Sequence, residues 1–163
     1  EFVQKLTVPS KSYARAICDM VGWNLDGSVR PEGERINIAG IAHITGGGLN
    51  KLVEILPEGV GAVLDNMMEP AEVLRQAQEM SWGIPELQLS DEQCHTTFHG
   101  GHGMLLVVDQ AWADHVIAWV QNASKYGIKA QAIGRTVKSA TNEVVVHSRF
   151  REGKVFSLFP DSE

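Results

Sequence analysis

The stretch "IAHITGGGLNKLVEILP", residues 41–57, decides how the chain is read. An apolar segment ends in His43, three glycines follow Thr45, and a helical pattern runs from Leu49 to Leu56. Glycines at the junction of a strand and a helix permit positive φ and close approach of another group. Amides at a helix start carry partial positive charge, and here they are expected to be free and to point outward, so the turn suits phosphate or another anion. Thr45 adds a hydroxyl, and His43 adds a donor at the strand end. The alternative is that the glycines only allow a tight strand-to-helix turn. The spacing is not G-x-x-x-x-G-K-[ST], and that loop's lysine is missing. On local pattern alone the two readings are even.

Outward from this turn, Ile36 to Ala42 reads as a buried strand and Val60 to Asp65 as a second one. Upstream, Tyr13, Ile17 and Val21 recur at i, i+4 and i+8 and mark a helix over 11–21, and "DGSVRPEGER", residues 26–35, reads as a linker. Downstream, Pro70 opens a helix through Met80, and Ser90 with Gln93 has the spacing of a capping box for a short helix reaching about Phe98. Met104 to Val108 has the apolar, β-branched character of a central strand; Asp109 caps the helix that follows and Gly127 ends it. Residues 129–137 are expected to form a strand, and Val144 to Phe150 with Lys154 to Phe159 a hairpin turning at Glu152-Gly153.

With the extra helices set aside, the order from Ile36 is β, α, β, then β, α, β with a hairpin appended. That order resembles a ferredoxin-like split βαβ core with insertions, an α+β fold in which one mixed β-sheet carries helices on both faces. The expectation is a single domain over residues 1–163, with an opening helix and linker in 1–35 and the core in 36–163.

The 163 residues, 44% hydrophobic and 21% charged, suffice to bury about two thirds of the unfolded surface without disulfides. Cys18 and Cys94 match no paired metal or redox spacing and read as free thiols in a reducing compartment. No apolar run approaches membrane-spanning length, no basic-then-apolar leader opens the chain, and a cytoplasmic location is inferred. A formal charge of -6 without long like-sign runs argues against nucleic acid as a partner, because phosphate backbones need clustered Lys and Arg. The chain opens on Glu1-Phe2 rather than Met, as expected of a processed product, a fragment or a chain with a cloning scar.

"GIAHITGGGL", residues 40–49, followed by "ILPEGVGAVLD", residues 55–65, resembles the C-terminal domain of the aminoimidazole ribonucleotide (AIR) synthetase family, the phosphoribosylformylglycinamidine cyclo-ligases of de novo purine synthesis. "TTFHGGHGMLLVV", residues 96–108, is similar to the family's R-T-F-N-x-G-x-G-M stretch, and "VPSKSYARAI", residues 8–17, to the P-T-R-I-Y-V segment that opens the domain. The resemblance implies an N-terminal domain that carries most of an ATP and Mg²⁺ site and a C-terminal domain that closes over formylglycinamidine ribonucleotide. In that family ATP activates the formyl oxygen and the amidine nitrogen attacks to close the imidazole ring. No counterpart of the ATP domain precedes Pro9. The chain alone is therefore expected to hold no cofactor and to be a fragment or to work with a partner that supplies the ATP domain; a homo-oligomer is left open. The resemblance places the phosphoribosyl substrate at His43, Thr45, Gly46, Gly47 and Gly48, with His99, Gly101 and Gly103 as further substrate-facing candidates and no catalytic residue assigned.

The family's Glu-Met-x-Arg-Thr-Phe-Asn is replaced by Gln93-Cys94-His95-Thr96-Thr97-Phe98-His99. A threonine does not replace an arginine that grips phosphate bidentately, so the fitting ribonucleotide and the retention of activity are open. Thr97, Phe98, Gly101, Gly103 and Met104 match, and Phe98 and Met104 read as core residues. The replacements also pack Cys94, His95, His99 and His102 into nine residues, with His95 and His99 spaced to share a helix face. A Zn²⁺-binding or non-catalytic relative of the same fold is thus the second hypothesis; with no second ligand cluster, no metal site is assigned.

Trp112, Val116 and Trp119 at helical spacing read as a core face or covered surface, and His115 and His147 as surface or interface residues. Arg135, after Gly134, is a further substrate-facing candidate, and Asp65 reads as an exposed turn carboxylate within reach of a ligand.

Overall fold

The computed structural model describes residue 4, residues 9–122 and residues 127–160. The Glu1-Phe2 opening, Val8 of the family-like opening segment and the end of the helix expected to stop at Gly127 lie outside or run beyond these residues. Contacts gather the described residues into two compact units, residues 42–105 with 133–160 and residues 9–41 with 106–132.

In the second of these units, helix α1 spans Ala14–Val21 and ends where Gly22 turns left-handed at φ 81°, donating its N–H to the Cys18 carbonyl. The expected linker opens on a tight turn in which Asp26 Oδ1 accepts from the Ser28 N–H at 2.9 Å, Trp23 bridges Val29, and a 3-10 turn follows over Glu32–Glu34. Met20 and Ile36 form the buried core with Val116 and Val120 of α5, Gln110–Asn122. Trp119 packs partly against this core while Trp112 stays exposed beside His115, so the apolar face read from the sequence is a core face at only two of its three positions. Asp109 Oδ1 accepts from the Ala111 N–H at 2.8 Å and opens α5 as expected.

Strand β1, Ile38–His43, pairs with β3, Met104–Val108, in a two-stranded sheet. The larger unit holds a four-stranded sheet in the order β4-β2-β5-β6, made of Arg135–Lys138, Val60–Leu64, Val144–His147 and Val155–Leu158. β2 runs antiparallel to β4 and parallel to β5, and β5 pairs antiparallel with β6. The α+β class and the mixed sheet are as expected, but the strands form two sheets where one was expected. A strand has two hydrogen-bonding edges; β2 gives both to β4 and β5, and β1 and β3 pair with each other.

The expected strand over 129–137 is also shorter. Gly134 lies so close to β2 that a Cβ there would stand 2.1 Å from the Val63 carbonyl oxygen, and Asn66 N–H reaches the Ile133 carbonyl at 3.0 Å. The ladder to β2 begins only at Arg135.

Three helices complete this unit: α2, Asn50–Ile55; α3, Glu72–Ser81; and α4, Asp91–Thr96. Ser90 Oγ accepts from Gln93 N–H at 3.1 Å and Gln93 Oε1 accepts from Ser90 N–H at 2.9 Å, which is the capping box read from the sequence. Asp91, fully buried, accepts from Gln78 Nε2 at 2.9 Å, from Glu152 N–H at 3.1 Å and from Lys154 N–H at 3.3 Å. One carboxylate thus ties α3 and α4 to the β5–β6 turn, where Gly153 takes φ 61°. Burial works to raise its pKa, and these hydrogen bonds with one from Ser148 outweigh it, so the carboxyl sits below the ordinary value.

Candidate functional site

The site grows from the end of β1. Ile44 N–H donates to the Gly103 carbonyl at 3.0 Å, and Leu49 N–H donates to the His95 carbonyl at 2.8 Å. The two stretches that carry the resemblance, 43–48 and 95–103, are therefore bound to each other backbone to backbone. Two positions require glycine: Gly47 turns left-handed at φ +90°, and Gly48 does so at φ +55°, where a Cβ would also meet the carbonyl oxygens of His95 and Phe98 at 2.0 and 2.5 Å.

The rest of the loop faces outward. His43, Thr45, Gly46 and Gly47 are exposed, whereas Ile44, Gly48 and Leu49 are buried. The helix-start amides are not free as expected. Gly48 N–H donates to Thr45 at 3.1 Å, Asn50 N–H to Gly47 at 3.2 Å and Lys51 N–H to Gly48 at 3.3 Å, because the turn closes on itself before α2 begins. What the loop presents is the Thr45 hydroxyl, the Gly46–Gly47 backbone and, at its edge, Lys51, whose Cε lies 3.7 Å from where a Gly47 Cβ would stand. Lys51 Nζ is held by Glu54 at 2.8 and 2.9 Å. Sequence reading missed this lysine; the signal was its spacing, four residues after Gly47, which one helical turn folds back toward the loop.

The second stretch is mostly bracing. His95 is 1% exposed, edge-on to Phe150 with ring centroids 5.0 Å apart, and its Nε2 lies 3.4 Å from Ser148 Oγ. His102 is also buried and accepts the Met68 N–H on Nε2 at 3.1 Å, which puts its proton on Nδ1. The Nδ1 atoms of both rings are buried without a hydrogen-bond partner. Burial, followed by the neighbouring histidine in each case, pushes both pKa values down to about 4.

α4 stops at Thr96, so His99 does not share a helix face with His95; it is exposed, and its Nδ1 accepts from Gly101 N–H at 3.0 Å. Its pKa is lowered, first by partial desolvation of the ring. Gly101 packs on the Glu69–Pro70 backbone and Gly103 gives its carbonyl to Ile44, so of the three further candidates only His99 stands open to solvent. Phe98, expected in the core, is 38% exposed, since its backbone rather than its ring packs toward Gly48. Met104, also read as core, is half-buried.

Burial, reinforced by the negative charges of Asp91 and Glu152, raises the Cys94 thiol to about 11, which keeps it protonated and a poor metal ligand. Among the described residues no three His, Cys, Asp or Glu side chains gather as a metal would require. Arg135 and Asp65 pair with each other at 2.5 Å, and that hydrogen bond holds the Asp65 carboxyl below its ordinary value. His115 and His147 are exposed. Among the described residues no helix is long and apolar enough to cross a membrane.

The strand thus leads into an exposed Thr-Gly-Gly edge, closed behind by Gly48 against the backbone of His95 and Phe98. Residues 28–147 match the family described as AIR synthase related protein, C-terminal domain, and the chain belongs to that family. It is similar to proteins named phosphoribosylformylglycinamidine cyclo-ligase: 32% identical over 136 residues to that of Methanocaldococcus jannaschii, covering 83% of this chain and 33% of that protein. It is 26% identical over 132 residues to that of Methanococcus maripaludis, covering 81% and 32%. A protein of Vigna unguiculata named as the chloroplastic/mitochondrial cyclo-ligase is 30% identical over 125 residues, covering 76% and 28%. The chain spans about a third of the length of these curated relatives.

Proposed function

We propose that this chain is the substrate-binding, C-terminal part of a phosphoribosylformylglycinamidine cyclo-ligase of purine biosynthesis, acting in the cytoplasm. A phosphoribosyl compound binds at the exposed edge of the His43–Gly48 loop. The observation that carries the reading is the split within that loop: Gly48 is consumed by packing against His95 and Phe98, while Thr45, Gly46 and Gly47 remain exposed beside Lys51. A turn needing glycine for its own geometry accounts for Gly47, at φ +90°, and for Gly48, and it leaves the open Gly46, which has nothing within 4 Å of a would-be Cβ, without a structural reason.

In this reading the Thr45 hydroxyl donates to a phosphate oxygen, the glycine backbone lets the phosphate approach, and Lys51 exchanges Glu54 for the ligand. ATP and Mg²⁺ belong to another part of the protein or to a partner chain, and no step of phosphoryl transfer is assigned to residues of this chain. The test is calorimetric titration of ribose 5-phosphate into wild type and Thr45→Val. Loss of one hydrogen bond to a charged group is expected to weaken binding by about ten- to a hundred-fold. Equal affinity in the two proteins, or no binding at millimolar concentration, overturns the reading.

A further inference from the structure

Away from the glycine loop, α3 and the β5–β6 turn flank a half-open cleft of about 220 Å³ lined by Arg75, Gln78, Glu79, Arg149, Phe150 and Arg151. Gln78 and Phe150 are buried; the three arginines and Glu79 are exposed. Three guanidinium groups around one small cleft stand against the trend of a chain whose net charge is -6.

Two of the arginines are positioned by the fold. Arg149 Nη1 donates to the Met67 carbonyl at 3.2 Å, and its other terminal nitrogen pairs with Glu69. Arg151 lies over the Trp82 ring, 4.7 Å from its centroid, and its backbone N–H donates to Gln78 Oε1 at 3.1 Å. Arg75, one turn before Glu79 on α3, has no side-chain partner among the described residues. Neither buried member of the lining accepts from these guanidinium groups. The Gln78 oxygen is taken by Arg151 N–H, its amide nitrogen donates to Asp91 and the Leu89 carbonyl, and Phe150 is apolar. With Glu79 and Glu69 both counted, the cleft keeps an excess positive charge and two guanidinium forks, those of Arg75 and Arg151, without a carboxylate partner.

We propose that this cleft binds a small phosphate monoester, with its phosphate between Arg75 and Arg151. Each guanidinium presents N–H donors in a planar fork that matches phosphate oxygens bidentately, and a dianion uses two such forks where a single carboxylate fills one. The volume lies below the range of about 300–1,000 Å³ typical of drug-sized ligands, so it admits a phosphate with a few carbon atoms. Glu79 repels a second anionic group and accepts from a hydroxyl, which selects a hydroxylated monoester over a bisphosphate. The cleft shares no residue with the His43–Gly48 loop, and the proposal stands apart from the function assigned to that loop.

The experiment is calorimetry of the chain with glycerol 3-phosphate at low ionic strength, glycerol serving as the uncharged control. Binding of the phosphate and not of glycerol is expected, with Arg75→Gln weakening it by about tenfold or more at an unchanged melting temperature. Trp82 emission is expected to shift on binding as Arg151 turns toward the ligand, and Trp82→Phe identifies that signal among the four tryptophans. Thr45→Val is expected to leave both signals intact. Affinity unchanged in Arg75→Gln, absence of binding at millimolar concentration, or loss confined to Thr45→Val overturns the proposal; the last outcome assigns the ligand to the glycine loop instead.

Discussion

Gly48 rests on the carbonyl oxygen of His95 so closely that a Cβ would stand 2.0 Å from it, and the next residue, Leu49, donates its N–H to that same carbonyl at 2.8 Å. Two stretches nearly fifty residues apart in the chain are thereby fixed to each other through backbone atoms. Side-chain replacements in the second stretch, such as His99 for the family's asparagine, can therefore occur without moving the loop.

The first and last of the three glycines are predicted to differ in what they tolerate. Gly48→Ala forces both a positive φ and a backbone clash, and is expected to destabilise the fold by more than about 2 kcal/mol. Gly46→Ala meets nothing within 4 Å and is expected to stay within about 0.5 kcal/mol of wild type. Urea denaturation of the two variants checks this, and equal losses would remove the distinction on which the loop's reading depends.

Asp91 is predicted to anchor the β5–β6 turn. Asp91→Ala leaves the Glu152 and Lys154 N–H groups and the Gln78 amide short of an acceptor, an expected loss of about 2–4 kcal/mol. Its folded pKa is lowered, so below the ordinary value of 3.8 the unfolded chain takes up the proton first. The carboxylate's contribution is complete above that value and is lost as pH falls through the folded pKa. Acid unfolding below about pH 4 should be less steep in Asp91→Asn than in wild type.

Local chemistry was legible in the sequence where a few neighbouring residues suffice. The Ser90–Gln93 capping box, the bounds of β3 and the turn at Gly153 all depend on contacts within a few positions. The pairing of strands into two sheets was not legible, because β2 could have offered its edges to any strand of similar composition. The burial of His95 was hidden for a related reason. Its spacing to His99 looks like a ligand pair, and only the long-range approach of Phe150, Phe156 and Ser148 turns the ring inward. Arg135, read as a candidate to face substrate, and Asp65, read as an exposed turn carboxylate, meet each other across seventy residues of sequence.

Lys51 offers a separate test of the loop. Its ion pair with Glu54 is exposed and is expected to add less than about 0.5 kcal/mol to stability. Lys51→Ala should leave the melting temperature near wild type but weaken ribose 5-phosphate severalfold, while Glu54→Gln, which releases the ammonium, should strengthen it. Should both variants bind as wild type does, the lysine takes no part in the site.

The buried histidines set the last prediction, a loss of stability in mildly acid solution that the carboxylates do not produce. His95 and His102 are neutral in the fold with pKa values near 4, whereas in the unfolded chain each titrates at 6.5. Between these values the unfolded state binds more protons, so stability rises with pH across the interval and is complete above about 6.5. A shift of this size corresponds to roughly 3 kcal/mol for one such group, the repulsion by the His102 charge being already part of the His95 value. At His102 the second proton would go to Nε2, which already faces the Met68 N–H donor, and that fits this direction. Urea midpoints should therefore fall between pH 7 and pH 5, well above the range in which Asp91 titrates. His102→Gln, which keeps an acceptor for the Met68 N–H, should be less stable than wild type at pH 7 and lose less of its stability at pH 5. A midpoint that is flat over this interval in wild type would show that the rings take up protons without leaving the fold.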